Sequence, residues 1–336
     1  MRVGQNPLKE AQKPIDRPES ITVGVLNFIP DQSGYFRGQL DSLKLCLASL
    51  RAHADRPFDL LVVDNGSCAE VRGYVVEELQ AGRIDMLILN KRNLGKMNAQ
   101  MQILHATSAS LIFYSDGDIY YRPGWMQAHL EVLNAFPEVG LVGGIPLRNQ
   151  ANCHTESTRR WADNKTDKVH LEKGNLIPEE WTRDFLRSVG EERFIENWIQ
   201  NEDWRMTRQG VIAYIGASHM QFLIPRNAIN AIPQRRFSQA LNTEEDQHLD
   251  YSIEEAGFLR LSAAEPLVYH IGNTISEPWL VDQYLRLVNR PHTVSRPAQG
   301  KSQREQHPHW FWGRWKILRA LKAIYLWAFM RYYENT

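Results

Sequence analysis

The sequence predicts an α/β fold, a mostly parallel sheet with helices on both faces, followed by an amphipathic helical tail. Three observations predict it. Apolar, β-branched runs alternate with helix-spaced leucines and valines from 21 to 144. The runs are short and close on turn residues or carboxylates, as buried parallel strands do. The chain has 336 residues, 43% of them hydrophobic, enough to bury a large core without disulfides or metal staples.

The elements follow in order. Residues 1–20 are polar, rich in proline and charge, and read as a loose arm. ITVGVLNFI (21–29) is the first strand. Leu40, Leu43, Leu47 and Leu50 share one helix face. FDLLVVD (58–64) is the second strand, with Val71, Val75 and Leu79 marking the helix after it. IDMLILN (84–90) is the third strand, 94–107 a helix, and LIFYS (111–115) the fourth strand. Pro123 suits the first turn of a helix with Met126, Leu130 and Leu133 inward. VGLVGG (139–144) is the fifth strand. Strand and helix alternation of this kind gives parallel neighbours, and ligands of such sheets sit where the strands end.

From 147 to 209 the pattern changes. Trp161, Trp181, Trp198 and Trp204 sit among charges with a weak helical period. That reads as a small helical insertion whose tryptophans either stack on a ligand or pack a core. Strand-like sequence returns at 211–225, then a helix from Asp246 to Ala256 with Leu249 and Ile253 inward, then short strands at 258–262 and 267–271. Residues 291–309 read as a linker. The tail 310–336 mixes tryptophans with Arg314, Lys316, Arg319, Lys322 and Arg331. Its composition fits a helix at a membrane interface over 310–333, and equally a terminal helix packed on the domain or a second subunit.

Composition excludes several classes. Lys+Arg and Asp+Glu both number 39, so no global attraction to nucleic acid is expected. Cys46, Cys68 and Cys153 lack metal spacing and read as reduced thiols, which suits a cytoplasmic protein, peripheral on a membrane if the tail binds one. No apolar leader is visible, and the apolar stretch Ala323–Met330 is too short for a bilayer, which needs about 20 residues.

The chemistry concentrates after the strands. YSDGDIYY (114–121) puts Asp116 and Asp118 on either side of a glycine just after an apolar strand. Two carboxylates so placed suit one hard cation, Mn²⁺ or Mg²⁺, which in turn binds phosphates. VVDNGS (62–67) puts Asp64 at a strand end, where it either accepts hydrogen bonds from a base or ribose or caps a turn. NKRNLGKMNA (90–99) offers Lys96 to a phosphate, with Gly95 permitting close approach.

Those motifs, in the order VVDNGS, NLGKMNA, DGD and TEED (243–246), resemble the family 2 glycosyltransferases of the GT-A fold. The resemblance spans about 21–271. It implies an inverting transfer of a sugar from a nucleotide-diphosphate donor to a carbohydrate, glycolipid or other hydroxyl acceptor, with a divalent metal. It places a nucleotide-sugar-binding half at 21–146 and an acceptor-binding, catalytic half at 147–290. By position, Asn27, Asp64, Lys96 and Asp116 match donor-binding residues. Asp116 and Asp118 match the metal pair, and His270 a later histidine that completes the metal site in some relatives. Glu245 and Asp246 match the Glu-Asp motif, whose aspartate is the general base. His248 departs from the acid that many relatives carry. The Gln-x-x-Arg-Trp motif of processive members is missing, so long-polymer synthesis is not expected.

Rival readings are a retaining transferase of the same fold and a catalytically silent sugar-nucleotide-binding protein. The glycine-rich loops of nucleotidyltransferases and of dinucleotide dehydrogenases do not follow the first strand.

Overall fold

The structure, a computed structural model, describes residues 18–164, 168–238 and 247–288. The arm up to 17, the Glu245-Asp246 pair, the 291–309 linker and the 310–336 tail lie outside the described residues. The chain divides into two units, Met1–Val294 and Ser295–Thr336, and every described residue belongs to the first.

The first half follows the expected alternation: β1 (Ile21–Asn27), α1 (Gln39–His53), β2 (Asp59–Asp64), α2 (Ala69–Gln80), β3 (Met86–Leu89), α3 (Lys96–Ala106) and β4 (Leu111–Asp116). Then come β5 (Ile119–Tyr121), α4 (Trp125–Ala135) and β6 (Val139–Gly143). Pro123 precedes α4 rather than opening it. Gly124, at φ +82°, makes the turn into the helix instead, a conformation proline's ring forbids. Leu79 is 36% exposed, so the inner stripe of α2 is Val71 and Val75.

The second half comprises α5 (Glu156–Asp163), β7 (His170–Gly174), α6 (Glu179–Ser188), α7 (Ile195–Ile199), β8 (Asp203–Arg208), β9 (Val211–Ile215), β10 (Gln221–Pro225) and α8 (Arg226–Ala231). After residue 246 come α9 (His248–Glu255), β11 (Leu259–Ser262), β12 (Val268–His270) and α10 (Pro278–Leu287). The main sheet runs β3-β2-β1-β4-β10-β6-β11-β9-β8-β7. Strands β1, β2, β3, β4, β6, β8 and β11 point one way, and β7, β9 and β10 the other. A separate pair joins β12 to β5, with His270 opposite Ile119.

The region expected as a helical insertion is therefore partly sheet. Strands β7 and β8 extend the main sheet, locked by a two-pronged Arg205–Glu172 pair at 2.9 Å between directly opposed residues. The polar composition of an edge hairpin hid its period. Arg148, 4% exposed, ties the helices between to the body through the carbonyls of Ile177 and Ile199.

Side chains of the parallel strands alternate between two cores. Val23, Val25, Leu60, Val62 and Phe113 meet Leu43, Leu47 and Leu50 of α1 on one face. Leu61, Val63, Ile112 and Tyr114 meet Ala99 and Ile103 of α3 and Leu249 and Ile253 of α9 on the other. Covered on both faces, the strands fix where their carboxyl ends lie.

Candidate active site

Register assembles the site. In the parallel ladder Asn27 of β1 lies beside Asp64 of β2, and Leu26 lies beside Asp116 of β4. Three expected site residues thus reach one sheet edge because their strands end in step. Asp64 is fully buried. Its Oδ1 accepts from Asn27 Nδ2 at 3.2 Å and its Oδ2 from the Ser67 amide at 3.2 Å. Asn27 also donates to Ser67 Oγ at 3.1 Å, and that hydroxyl accepts from the Ile29 amide. Asp64 and Asn27 therefore form the floor of the edge, and Asp64 presents no surface to solvent.

The neighbouring loop, 90–95, hangs on Asn65. Its Oδ1 accepts from the Leu94 amide at 3.0 Å and its Nδ2 donates to Asn93 Oδ1 at 3.0 Å. Gly66, at φ +89°, lets that loop come close. A Cβ there would lie 2.6 Å from the Arg92 carbonyl carbon and 2.7 Å from the Asn93 nitrogen.

The loop delivers Lys96. Its ammonium meets Asp116 Oδ2 at 2.7 Å, and Tyr114 donates its hydroxyl to Asp116 Oδ1 at 2.6 Å. Burial, then the charge of Asp116, pushes the Tyr114 phenol well above its ordinary pKa, so it stays a donor. Asp118 turns the other way. Its Oδ2 meets His270 Nε2 at 3.3 Å, while its Oδ1 is buried and has no partner. Burial disfavours the Asp118 charge, but the hydrogen bond and charge of His270, with Lys96 behind them, hold the carboxyl below its usual range. Burial likewise works against a charged His270, and Asp118 and Asp116 outweigh it, so its pKa rises. The pairing of β12 with β5 explains the meeting: it brings position 270 alongside the residues that follow Asp118.

The expected trio Asp116, Asp118 and His270 is thus split. Asp118 joins His270, and Asp116 joins Lys96 and Tyr114. Among the described residues, no group of three His, Cys, Asp or Glu side chains is gathered around one metal position. The buried, partnerless Asp118 Oδ1 nonetheless fits a hard cation, which binds carboxylate oxygen and satisfies what the protein leaves open.

Sequence reasoning missed four participants. Tyr114 read only as strand. Ser188, whose Oγ lies 3.0 Å from His270 Nδ1, sits in the polar insertion. Asn65 looked like part of a turn. Asp250, 2% exposed on α9, pairs with Arg260 at 2.7 Å and with His219 at 3.3 Å. Next to His219, Met220 accepts the Asp116 amide at 2.8 Å. A carboxylate on the inner face of an apolar helix was the one available signal for Asp250.

Of the four tryptophans, Trp161 packs on Phe136, Trp198 stacks with Phe185, and Trp204 lies under Lys173. Trp181 lines a cavity beside His270.

Residues 35–211 match the model of glycosyl transferase family 2, and the chain belongs to that family. No curated protein matches it. Among solved structures, a complex of S. aureus TarS 1-349 with UDP-GlcNAc is similar at 16% identity and a TM-score of 0.29, over 37% of this chain and 33% of that one. The mannosyltransferase PcManGT from Pyrobaculum calidifontis, with GDP-Man and Mn²⁺, is similar at 19% identity and a TM-score of 0.30, over 45% of this chain and 41% of that one. GalNAc-T7 with UDP, GalNAc and Mn²⁺ is similar at 13% identity and a TM-score of 0.46, over 80% of this chain and 47% of that one. The chain spans less than half the length of each.

Proposed function

We propose that the protein transfers a sugar, with inversion, from a nucleotide-diphosphate donor to an acceptor hydroxyl, with Mn²⁺ or Mg²⁺ held by Asp118 and assisted by His270 and Asp116. One observation carries the reading. A buried carboxylate oxygen without a partner, at Asp118, stands beside a histidine where the parallel strands of a family 2 chain end. When bound, the cation neutralises negative charge growing on the departing diphosphate.

The chain's own residues do the rest. Lys96 sets a second positive charge at the same edge, with Asp116 holding it in place. Asn27, Asp64 and Asn65 hold the edge and its loop in one shape, so the donor meets a preformed site. Asp246 takes the acceptor's proton as its oxygen bonds to the anomeric carbon. On the opposite face the bond from that carbon to the diphosphate oxygen breaks, and the nucleoside diphosphate leaves with the electron pair. Glu245 is the adjacent acid of the same motif.

Incubation of the purified protein with a panel of nucleotide-diphosphate sugars tests this. The expected outcome is release of nucleoside diphosphate that EDTA stops and Mn²⁺ restores, with product of the opposite anomeric configuration by proton NMR. In Asp246→Asn the transfer rate falls about 10²–10⁴-fold, as for loss of a general base, with donor affinity unchanged. A retained configuration would point to the retaining rival, and tight donor binding without turnover to the silent one.

A further inference from the structure

Beside His270, among the described residues, lies a cavity. It has a volume of about 670 Å³, and Trp181, Asp184, Ser188, His270, Glu277 and Trp279 line it. That is the size of a small-molecule site. One ring of its wall reaches the acidic pair, through Asp118. His270 turns Nε2 to Asp118 and Nδ1 to Ser188, and both His270 and Ser188 face the cavity.

Its walls have a definite chemistry. Trp279 stands edge-on to Tyr120 at 5.3 Å and to Tyr269 at 5.1 Å, so its plane is fixed. Trp181, from α6, lines the same cavity. Rigid aromatic faces suit the apolar faces of sugar rings. Carboxylates outnumber arginines here, and the His270 ring is already paired with Asp118. Glu180, Asp184 and Glu277 face Arg122 and Arg187. The Arg122 guanidinium is engaged over the Trp279 ring at 5.3 Å, and Arg187 meets Asp184 at 3.5 Å. The surplus reaches Tyr269, whose phenol pKa burial raises first and the charges of Glu277 and Asp184 raise further. Carboxylates accept hydrogen bonds from vicinal hydroxyls and repel phosphates.

We propose that this cavity seats the acceptor and that the acceptor is an uncharged saccharide, not a lipid phosphate. The proposal deepens the transferase reading and rests on it for the word acceptor, while the binding it claims stands apart from turnover.

Saturation-transfer NMR on the full-length protein provides the test. The probes are the methyl β-glycosides of glucose, galactose, mannose and N-acetylglucosamine, with farnesyl phosphate as the anionic alternative. At least one glycoside should show transfer to its ring protons. Trp181→Ala should weaken it roughly tenfold, as expected for loss of a stacking ring. Asp184→Asn, an exposed position that leaves the packing untouched, should weaken it by a smaller factor and keeps the test valid should Trp181→Ala fail to fold. UDP and GDP affinity by calorimetry should stay the same in both variants. Farnesyl phosphate binding without any glycoside binding overturns the proposal, and so does glycoside binding indifferent to both variants. Nucleotide-sugar hydrolysis measured on the same preparation separates the two claims. Hydrolysis without glycoside binding overturns the cavity assignment and leaves the transferase standing. Glycoside binding through Trp181 in a protein that spares nucleotide sugars upholds the cavity as a saccharide site and overturns the transferase reading.

Discussion

A buried carboxylate oxygen without a donor costs free energy that the fold recovers only when something binds there. Asp118 is such a group, and Asp118→Asn tests its use. The variant keeps the shape and removes the charge, so Mn²⁺-dependent donor binding should drop at least about tenfold by calorimetry, with the far-ultraviolet spectrum unchanged. A second readout needs no ligand: the His270 ring, whose pKa Asp118 raises, should titrate lower by proton NMR. His129 makes the opposite point about buried histidines. Burial lowers its pKa despite hydrogen bonds to the Trp125 carbonyl and to Gln221. Above about pH 6.5 the ring is neutral folded and unfolded, and stability is complete. Below that the unfolded chain takes up a proton the folded chain refuses, so stability falls, by up to about 1.4 kcal/mol per pH unit, until the folded pKa is reached. Urea unfolding between pH 7 and 5 should show this slope, and it should be shallower in His129→Gln.

At the scale of elements, the loops show how tightly a strand end dictates its neighbour. Gly66→Ala forces a Cβ against the backbone of Arg92 and Asn93 in a left-handed conformation. It should cost more than about 1 kcal/mol and weaken donor binding as the Lys96 loop shifts. Gly73→Ala is the control. That glycine lies within α2 with open space around its Cα, so alanine should add about 0.5–1 kcal/mol. Chemical denaturation of both variants checks the pair. The same contrast says what was legible in the residues. That Asn27, Asp64 and Asp116 gather at one edge was readable because apolar strands end on them and parallel register aligns such ends, while Lys96 opens the helix after the third strand. The Asp118–His270 meeting depended on β12 pairing across a long stretch of chain, which no local period encodes. Strands β7 and β8 were unreadable because an edge hairpin is half solvated and its polar residues mimic loop. Tyr114 and Ser188 were missed because a hydroxyl in a strand or helix is chemically silent until its partner is known.

At the scale of the whole molecule, the tail beyond the linker carries a prediction from composition alone. Full-length protein should float with anionic liposomes while a chain ending at Arg304 should not, as aromatic anchors and five basic side chains would require. Equal flotation would favour a tail packed on protein. The described sheet carries a consequence of another kind. Strand β10 hydrogen-bonds both β4 and β6, yet it is made from residues 221–225, long after its neighbours at 111–116 and 139–143. During synthesis β4 therefore emerges with one bare edge and β6 with none of its partners. At ~5–20 residues per second that exposure lasts roughly 5–20 s. If the first four strands pair as they emerge, they make a ribbon β3-β2-β1-β4 whose open side offers its edge to a like ribbon. A fragment ending at residue 146 would hold that state permanently, and size-exclusion chromatography should find it associated rather than monomeric. The acid pair of the site, at and just beyond the end of a strand made early, thus has its strand edge covered only when a segment that arrives late pairs with it.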